Sequence, residues 1–179
     1  MKRTYYNIVK KKFTLKDGFW AWIGAFIAIG IIMFIDEYVL GLTSGSVSMN
    51  LASFGASAVL AYGAVNSPLA QPRNIIGGHM VSAIIGVTAY KALGGFSIEF
   101  AAAAAVATAI FIMLMTDTLH PPGGATALFA VTGGENIHRL GYVYVAAPVL
   151  IGAVIIVLVA LIVNNLSRHE NRKYPRRIE

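Results

Sequence analysis

Residues 140–167 read LGYVYVAAPVLIGAVIIVLVALIVNNLS, a run without a single Asp, Glu, Lys or Arg. An apolar helix of roughly 20 residues is long enough to cross the hydrocarbon core of a bilayer, which is about 30 Å thick. Four more uncharged runs precede this one, at 19–35, 38–72, 74–90 and 100–116. Across the chain 57% of residues are hydrophobic and 12% are charged, whereas soluble domains carry roughly one quarter charged residues. The composition therefore predicts an integral membrane protein.

The apolar runs differ in length, and this difference predicts the architecture. Four segments are long enough to be transmembrane helices, at about 19–40, 74–92, 97–117 and 140–165. Two stretches between them, 51–65 and 123–132, are apolar but short, and rich in Gly, Ala, Ser and Thr. At 1.5 Å per residue, the second stretch would form a helix of roughly 15 Å, half of what a crossing requires. We predict an all-α membrane protein with four transmembrane helices and two short broken or re-entrant helices.

The two short stretches resemble each other. The sequence GASAVLA at 55–61 aligns with GATALFA at 124–130, and each precedes a Gly-containing turn, an isolated arginine and a long apolar segment. We interpret this pattern as an internal two-fold repeat in which each half contains a span, a short helix and a second span. Short, Gly-interrupted apolar segments at matching positions of two halves are the best sequence indication of a transporter's binding site.

Helix breaks inside a membrane favour an anion site for an electrostatic reason. Non-helical backbone must lie against protein or a watery cavity, because lipid cannot satisfy its N–H and C=O groups. A helix that begins there directs free N–H groups and the positive end of its dipole into the cavity. Small residues also allow close helix packing, and this structural alternative stays open. The pattern predicts an anion site where Gly55 and Gly124 meet.

The charge distribution indicates topology rather than nucleic-acid binding, although the net charge is +6. Basic residues concentrate before the first span and after the last, which divides the chain into a basic N-terminal segment, a membrane domain and a basic C-terminal tail, at 1–18, 19–166 and 167–179. Such residues are retained on the cytoplasmic side, so both termini are expected there, beside anionic lipid headgroups. Four spans place Lys91 inside and Arg73 outside, six spans do the reverse, and the length of the short stretches favours four.

The most individual stretch of the chain is DTLHPPGGATAL at 117–128. Its two prolines have no N–H to donate and cannot lie inside a helix, and a residue before proline is displaced from the helical conformation. The preceding span must therefore end near His120, whereas the prolines can begin the next helix, where a missing N–H is harmless. Gly123 and Gly124 leave room for the close approach of backbone or of a ligand.

Three stretches resemble the HPP family of integral membrane proteins, which is named for His-Pro-Pro. They are the motif at 117–128 and the segments SFGASA and PLAQPRNIIGGH, at 53–58 and 68–79. The resemblance covers roughly 20–165. It implies four transmembrane helices and, since members have been linked to nitrite transport, passage of that small anion. Gly123 stands where many relatives have Ala.

The isolated arginine Arg73 is the first candidate for anion binding. An ionisable residue inside a membrane is expensive and marks function, and Gln71 and Asn74 beside it can hydrogen-bond a small anion. If Arg73 lies at headgroup level, it merely anchors its helix. Both interpretations stay open.

Two histidines are further candidates. His120, at the predicted helix break, could contact a ligand, carry a proton, since histidine titrates near physiological pH, or cap a free carbonyl. His79, at the head of a span, could face the same cavity or form a hydrogen bond in helix packing. The spacing of helical metal-ligand pairs is absent, so a metal site is not expected.

The predicted substrate-binding set takes ten residues from these segments: Gly55, Ser57, Gln71, Arg73, Asn74, His79, His120, Gly123, Gly124 and Thr126. Its small polar members could line a cavity or bond their own backbone. Asp36 and Glu37 end the first span, where we expect them to face water or a partner.

These observations predict transport of a small inorganic anion, most simply nitrite, by a carrier or a channel. The alternatives are a non-transporting scaffold or sensor, and a transporter of another small solute. Four spans form a thin wall around a pore, so a homo-oligomer such as a dimer is expected. The chain has no cysteine and no recognisable nucleophile–base pair, so we expect neither an enzyme nor a cofactor. A retained first span without a transit segment suggests a bacterial inner membrane.

Overall fold

The computed structural model describes residues 14–38 and 48–176, and these form a bundle of helices. In chain order the α-helices are α1 (Leu15–Tyr38), α2 (Ser48–Ala58), α3 (Pro72–Leu93), α4 (Ile98–Met115), α5 (Pro121–Thr132), α6 (Glu135–Leu140) and α7 (Ile151–Leu166). Four helical stretches are long and apolar enough to cross a membrane, at Leu15–Glu37, Pro72–Leu93, Ile98–Met115 and Val145–Leu166. The prediction of four such helices is confirmed. Of the basic segment predicted at 1–18, residues 1–13 lie outside the described residues.

The fourth span begins later than the sequence predicts. The chain forms the separate helix α6 and turns at Gly141, whose φ of 52° lies in the left-handed region that glycine adopts without strain. Helix resumes at Val145 with a π-helical segment, where Pro148 cannot donate a regular hydrogen bond. Hydropathy alone does not detect this turn, because the residues around it are apolar.

The two short helices, α2 and α5, are confirmed. α2 continues as a π-helical turn at Val59–Gly63. α5 begins directly after His120, whose backbone is extended at φ −142° and ψ 105°. This is the conformation that a residue before proline prefers, so the His-Pro-Pro sequence produces the helix break by its backbone chemistry.

Contacts between distant segments define one end of the bundle, which we call the terminal end. Arg172 Nη1 donates a hydrogen bond to the carbonyl of Asp17 at 3.1 Å. The backbone N–H of Arg176 donates to Gln71 Oε1 at 2.8 Å. The starts of α1 and α3 therefore lie beside the segment that follows α7.

The short helix α5 runs from the terminal end to the opposite end. Asp117 precedes it and lies 3.6 Å from Arg73 at the terminal end. His138 follows it and stacks on Tyr90 near the far end of α3, with ring centroids 3.5 Å apart. The segment therefore extends alongside α3, and Arg73 lies at the end of the bundle that holds the described chain ends.

The non-helical residues before α5 supply the length that the short helix lacks. Their backbone is satisfied by protein groups, as a membrane interior requires. Arg73 Nη2 donates to the carbonyl of Thr116 at 2.7 Å, and Asn74 Nδ2 donates to the carbonyl of Leu119 at 2.9 Å. A helix preceded by non-helical residues can therefore extend between the two ends of the bundle, because side chains of α3 satisfy the backbone of those residues.

Each half of the chain contains a long helix, a short helix and a second long helix, in the order that the repeat predicts. The halves are α1–α2–α3 and α4–α5–α7, and they run in opposite directions between the two ends. The order of helices is compatible with the internal two-fold repeat, which itself stays a prediction.

The segment after α7 folds back onto the terminal end instead of extending as a free basic tail. Arg172 is only 4% exposed and donates to the carbonyl of Tyr62 at 3.0 Å and to Asn164 Oδ1 at 2.6 Å. Tyr174 is buried as well, and its hydroxyl donates to the carbonyl of Ala70 at 2.9 Å. Burial lowers the pKa of the Arg172 guanidinium. This basic residue therefore joins the ends of α2 and α7 rather than contacting lipid headgroups.

Replacing Arg172 by Ala is expected to destabilise the protein by about 1–3 kcal/mol, because the Tyr62 carbonyl and the Asn164 side chain would remain buried without their donor. Thermal unfolding of the purified protein in detergent measures this change. The matched control is Lys173→Ala, since this neighbouring basic side chain is exposed. Equal unfolding temperatures for the two variants would contradict the assigned role of Arg172.

Candidate functional site

Four polar side chains meet inside the bundle, and we call them the histidine–serine cluster: Ser57, His79, His120 and Thr126. All four are fully buried. Ser57 Oγ lies 2.7 Å from His79 Nε2 and 2.8 Å from His120 Nε2, and His79 Nδ1 lies 2.7 Å from Thr126 Oγ1. The imidazole rings meet edge to face with centroids 5.0 Å apart. The cluster thus joins both short helices to the long helix α3.

The local sequence explains how these side chains come together. Ser57 lies at the end of α2, just before its π-helical turn, and His120 lies directly before α5. His79 follows Gly78 in the second turn of α3. An added Cβ at Gly78 would lie 2.5 Å from His120 Cβ, which is closer than side-chain atoms approach. Glycine at this position therefore allows α3 and the start of α5 to meet.

The carbonyl of Leu69 fixes the direction of the hydrogen bonds. It can only accept, so His120 Nδ1 donates to it at 2.8 Å. In a neutral ring, His120 Nε2 then accepts from the Ser57 hydroxyl. Ser57 Oγ in turn accepts from His79 Nε2. His79 Nδ1 is then left as an acceptor 2.7 Å from Thr126 Oγ1, whose hydroxyl also donates to Ser53 Oγ at 3.2 Å. The Ser53 carbonyl, 3.1 Å from Ser57 Oγ, is a longer alternative for the Ser57 hydrogen.

Within the described part of the chain, no hydrogen bond or ion pair joins a charged side chain to the cluster. The ion pairs lie elsewhere, at Arg73–Asp117, Arg139–Glu135 and His169–Asp17. An apolar ring, Phe54, packs against His79 with centroids 5.1 Å apart. The described residues also include no group of three or more His, Cys, Asp or Glu that could hold a metal ion. The cluster is therefore polar but without net charge in its neutral form.

The other predicted polar residues lie apart from the cluster, at a pocket of about 660 Å³ on the terminal end. Arg73 lines it, is 65% exposed, and lies 3.6 Å from Asp117 Oδ2. Gln71 and Asn74 also line it, but their amide groups already donate to backbone carbonyls. The residues predicted to form one site therefore lie at two separate locations, a surface pocket and a buried cluster. Leu119, which lines the pocket, precedes His120 of the cluster in sequence.

The family model described as the HPP transmembrane region matches residues 10–175 of this chain. This chain belongs to the HPP family. Two transmembrane proteins of Dictyostelium discoideum are 43% and 44% identical to it over 158 residues, which is 87% of this chain and 54% and 49% of theirs. The chain thus spans about half the length of the curated relatives it matches. No solved structure matches.

The family match confirms an HPP membrane protein, and the relatives do not support the expected bacterial membrane, because they come from Dictyostelium discoideum. The motif that gives the family its name supplies His120 to the cluster. The two other marked segments supply the remaining partners in the first half, Ser57 and His79. All three resembling segments therefore meet at one buried place.

The glycines of the predicted HPP site do not line the cluster. An added Cβ would meet no atom within 4 Å at Gly55, and only Val106 at 4.0 Å at Gly124. Gly123 packs against α3, where its Cβ would lie 2.7 Å from Ser82 Oγ. The start of α5 also does not offer the free backbone N–H groups that were expected to bind an anion. Its two prolines have no N–H group, and the Gly123 N–H donates to the His120 carbonyl at 2.8 Å.

Sequence reasoning missed one feature of the site and the burial of one other residue. The Leu69 carbonyl, which orients His120, carries no side-chain signal because it is a backbone group. Asp36 was expected to face water or a partner, yet it is 4% exposed and its Oδ2 has no hydrogen-bond partner in the described residues. Its position at the end of an apolar span suggested an exposed carboxylate, whereas the folded chain buries it.

Proposed function

We propose that this HPP protein transports a small inorganic anion, with nitrite as the first candidate, and that the histidine–serine cluster binds it. The observation that carries the proposal is the position of the cluster, where four hydrogen-bonding side chains lie fully buried between two short helices. Polar groups inside a membrane are costly and mark substrate pathways. The resemblance to members linked to nitrite transport supports the choice of anion.

A carrier fits the cluster better than an open channel. The four side chains have no exposed surface, and their hydrogen bonds run to one another and to the Leu69 carbonyl. An anion reaches them only when the bundle opens on one side. Carriers with broken helices in two inverted halves alternate between such openings around a fixed site, and the order of helices here agrees with that design.

The pocket at the terminal end is the proposed entrance. Arg73 and Arg176 line it together with two amide side chains and one carboxylate, that of Asp117, so its charged side chains are net positive. Positive charge in a cleft raises the local concentration of anions and their rate of entry, and salt weakens this effect. The basic residues that flank the first and last spans favour a cytoplasmic location for this end. The cluster is complete within one chain, so the expected homo-oligomer stays a separate prediction.

Uptake into proteoliposomes tests the proposal. The purified protein is reconstituted, and uptake of nitrite, nitrate, formate, bicarbonate and chloride is compared with that of protein-free vesicles, which also corrects for diffusion of neutral acids through lipid. Selective uptake of one small anion is the expected result. Folded protein without uptake of any of them would overturn the transport proposal in favour of a scaffold, a sensor or another solute.

Replacing Arg73 by Gln is expected to raise the nitrite concentration for half-maximal uptake by about two- to fivefold, because an exposed charge contributes less than about 1 kcal/mol. The maximal rate should be retained, since Arg73 lies outside the cluster. The effect should shrink at high salt, which screens exposed charges. Initial uptake rates over a range of nitrite concentrations and ionic strengths measure both quantities.

The matched control is Arg139→Gln. Arg139 is also exposed and paired with a carboxylate, Glu135, but it lies at the opposite end. It should leave uptake from the terminal side unchanged. An equal shift in both variants would show a general effect of net charge and remove the pocket from the entry path.

A further inference from the structure

We propose that the histidine–serine cluster binds one proton together with each anion, so that the carrier is an anion–proton symporter; this inference rests on the proposed function. The two histidines and the hydroxyl between them form a continuous path for a proton. Ser57 Oγ lies 2.7 Å from one ring nitrogen and 2.8 Å from the other. These are ordinary hydrogen-bond distances, and a hydroxyl can donate and accept at once.

A proton that reaches His79 Nδ1 from the Thr126 side can pass along this path without displacement of a ring. His79 releases its Nε2 proton to Ser57 Oγ, and Ser57 passes its own hydrogen to His120 Nε2. His79 and Ser57 end neutral, and His120 holds the additional proton as an imidazolium. One proton has entered and one is held, and the reverse steps carry a proton the other way.

The Leu69 carbonyl prevents release of a proton from His120 Nδ1 toward the terminal end while the bundle is closed. If His120 lost its Nδ1 proton in this position, a bare ring nitrogen would face a carbonyl oxygen 2.8 Å away, and neither atom can donate. Release therefore requires the ring to separate from Leu69. Pro68 and Leu119, which adjoin Leu69 and His120 in sequence, line the pocket of the terminal end, so opening there exposes the proton to water.

The surroundings of the cluster make the proton and the anion depend on each other. From the packed elements it is contacted by Ser53 and Phe54 of α2, and by Tyr144 before α7, whose hydroxyl hydrogen-bonds the Thr126 carbonyl. Of these only tyrosine titrates, ordinarily near about pH 10. No carboxylate or basic side chain among the described residues pairs with the cluster.

A charge that enters such a site alone is therefore uncompensated. Burying an unpaired ion in an apolar interior is strongly unfavourable, whereas a hydrogen-bonded pair of opposite charges is not. A proton on the histidines favours the anion, and the anion favours the proton, by the same factor, because coupling between two bound ligands is reciprocal. The closed, occupied carrier then holds no net charge, and the two ions move together.

Proton movement in the wild-type protein tests the coupling directly. Addition of nitrite outside vesicles that contain a trapped pH dye should acidify the interior by one proton for each anion taken up, after subtraction of protein-free vesicles. A gradient of one pH unit, acid outside, should accumulate nitrite about tenfold. Nitrite uptake without acidification, or without a response to the gradient, would overturn the symport and leave the transport proposal standing. Absence of all uptake would instead overturn the proposed function.

Substitution of the bridging serine locates the path. Ser57→Ala removes the hydroxyl between the rings, so the ratio of uptake with and without the gradient should fall to that of an uncoupled protein, and Ser57→Thr should restore it. Ser82→Ala is the matched control, because Ser82 is a buried serine of the neighbouring helix whose hydroxyl contacts Met113 Sδ. A gradient response in Ser57→Ala equal to that of the wild type would contradict the path.

Discussion

Replacing His79 by Gln is expected to lower nitrite uptake about tenfold or more. His79 joins both branches of the histidine–serine cluster, since its two ring nitrogens each lie 2.7 Å from a hydroxyl, Ser57 Oγ and Thr126 Oγ1. A glutamine amide can replace one of these contacts, and the other hydroxyl then stays buried without its partner, at a cost of about 1–3 kcal/mol. A tenfold change in binding corresponds to about 1.4 kcal/mol. Initial uptake rates in proteoliposomes measure the loss.

His138→Gln is the control for a histidine outside the cluster. His138 stacks on Tyr90 at the opposite end and hydrogen-bonds the Val131 carbonyl at 2.9 Å. This variant should retain uptake. Gel filtration and thermal unfolding establish that both variants fold. Wild-type uptake by folded His79→Gln protein would remove the cluster from the transport path.

Replacing Gly86 by Ala is expected to lower the free energy of unfolding by about 1–3 kcal/mol or more. An added Cβ would lie 2.6 Å from the Ala127 carbonyl oxygen and 2.6 Å from Ala130 Cβ. The obstacle is backbone of α5, which cannot rotate away as a side chain can. The helix must therefore move, and it carries His120 at its start, so uptake should fall together with the unfolding temperature.

Gly30→Ala is the matched substitution on α1. An added Cβ there would meet no atom within 4 Å, and alanine favours the helical state by up to about 1 kcal/mol relative to glycine. Its unfolding temperature should equal or exceed that of the wild type. If Gly86→Ala unfolds at the wild-type temperature, α3 and α5 do not pack as closely as the structure shows.

The sequence predicts the helices well, because hydropathy and proline act locally. The four long apolar helices and the break at His120 follow from residue types that need no knowledge of distant neighbours. The passage of α5 to the opposite end does not follow from its length, because the non-helical residues before it are stabilised by α3. Arg73 and Asn74 donate to that backbone, a tertiary contact that hydropathy does not contain.

The candidate site was predicted in part. His79, His120, Ser57 and Thr126 were all named from the sequence, and they meet as one buried cluster. The helix breaks indicated the segments that supply these side chains, because each of the two short helices contributes one to the cluster. Arg73, which was expected to bind the anion with them, lies instead at the surface. Whether a charged side chain near the start of a helix faces the interior depends on the packing of distant segments.

The glycine positions were the least reliable sequence indication of the site. At Gly55 and Gly124 the absence of a side chain suggested room for a ligand, yet neither contacts the cluster. At Gly78 the same residue type allows α3 to approach His120. A sequence cannot distinguish space for a ligand from space for a neighbouring helix, because both require the same missing Cβ.

A single cysteine in the cluster tests the central claim most directly, and the natural chain has no cysteine to interfere. Ser53→Cys places a thiol of similar size beside Thr126, whose hydroxyl lies 3.2 Å from Ser53 Oγ. In vesicles where this variant still transports nitrite, a small membrane-impermeant thiol reagent should react with it, and nitrite should slow the reaction. A variant that transports nitrite but whose thiol reacts at the same rate with and without the anion, or not at all, would contradict passage through the cluster.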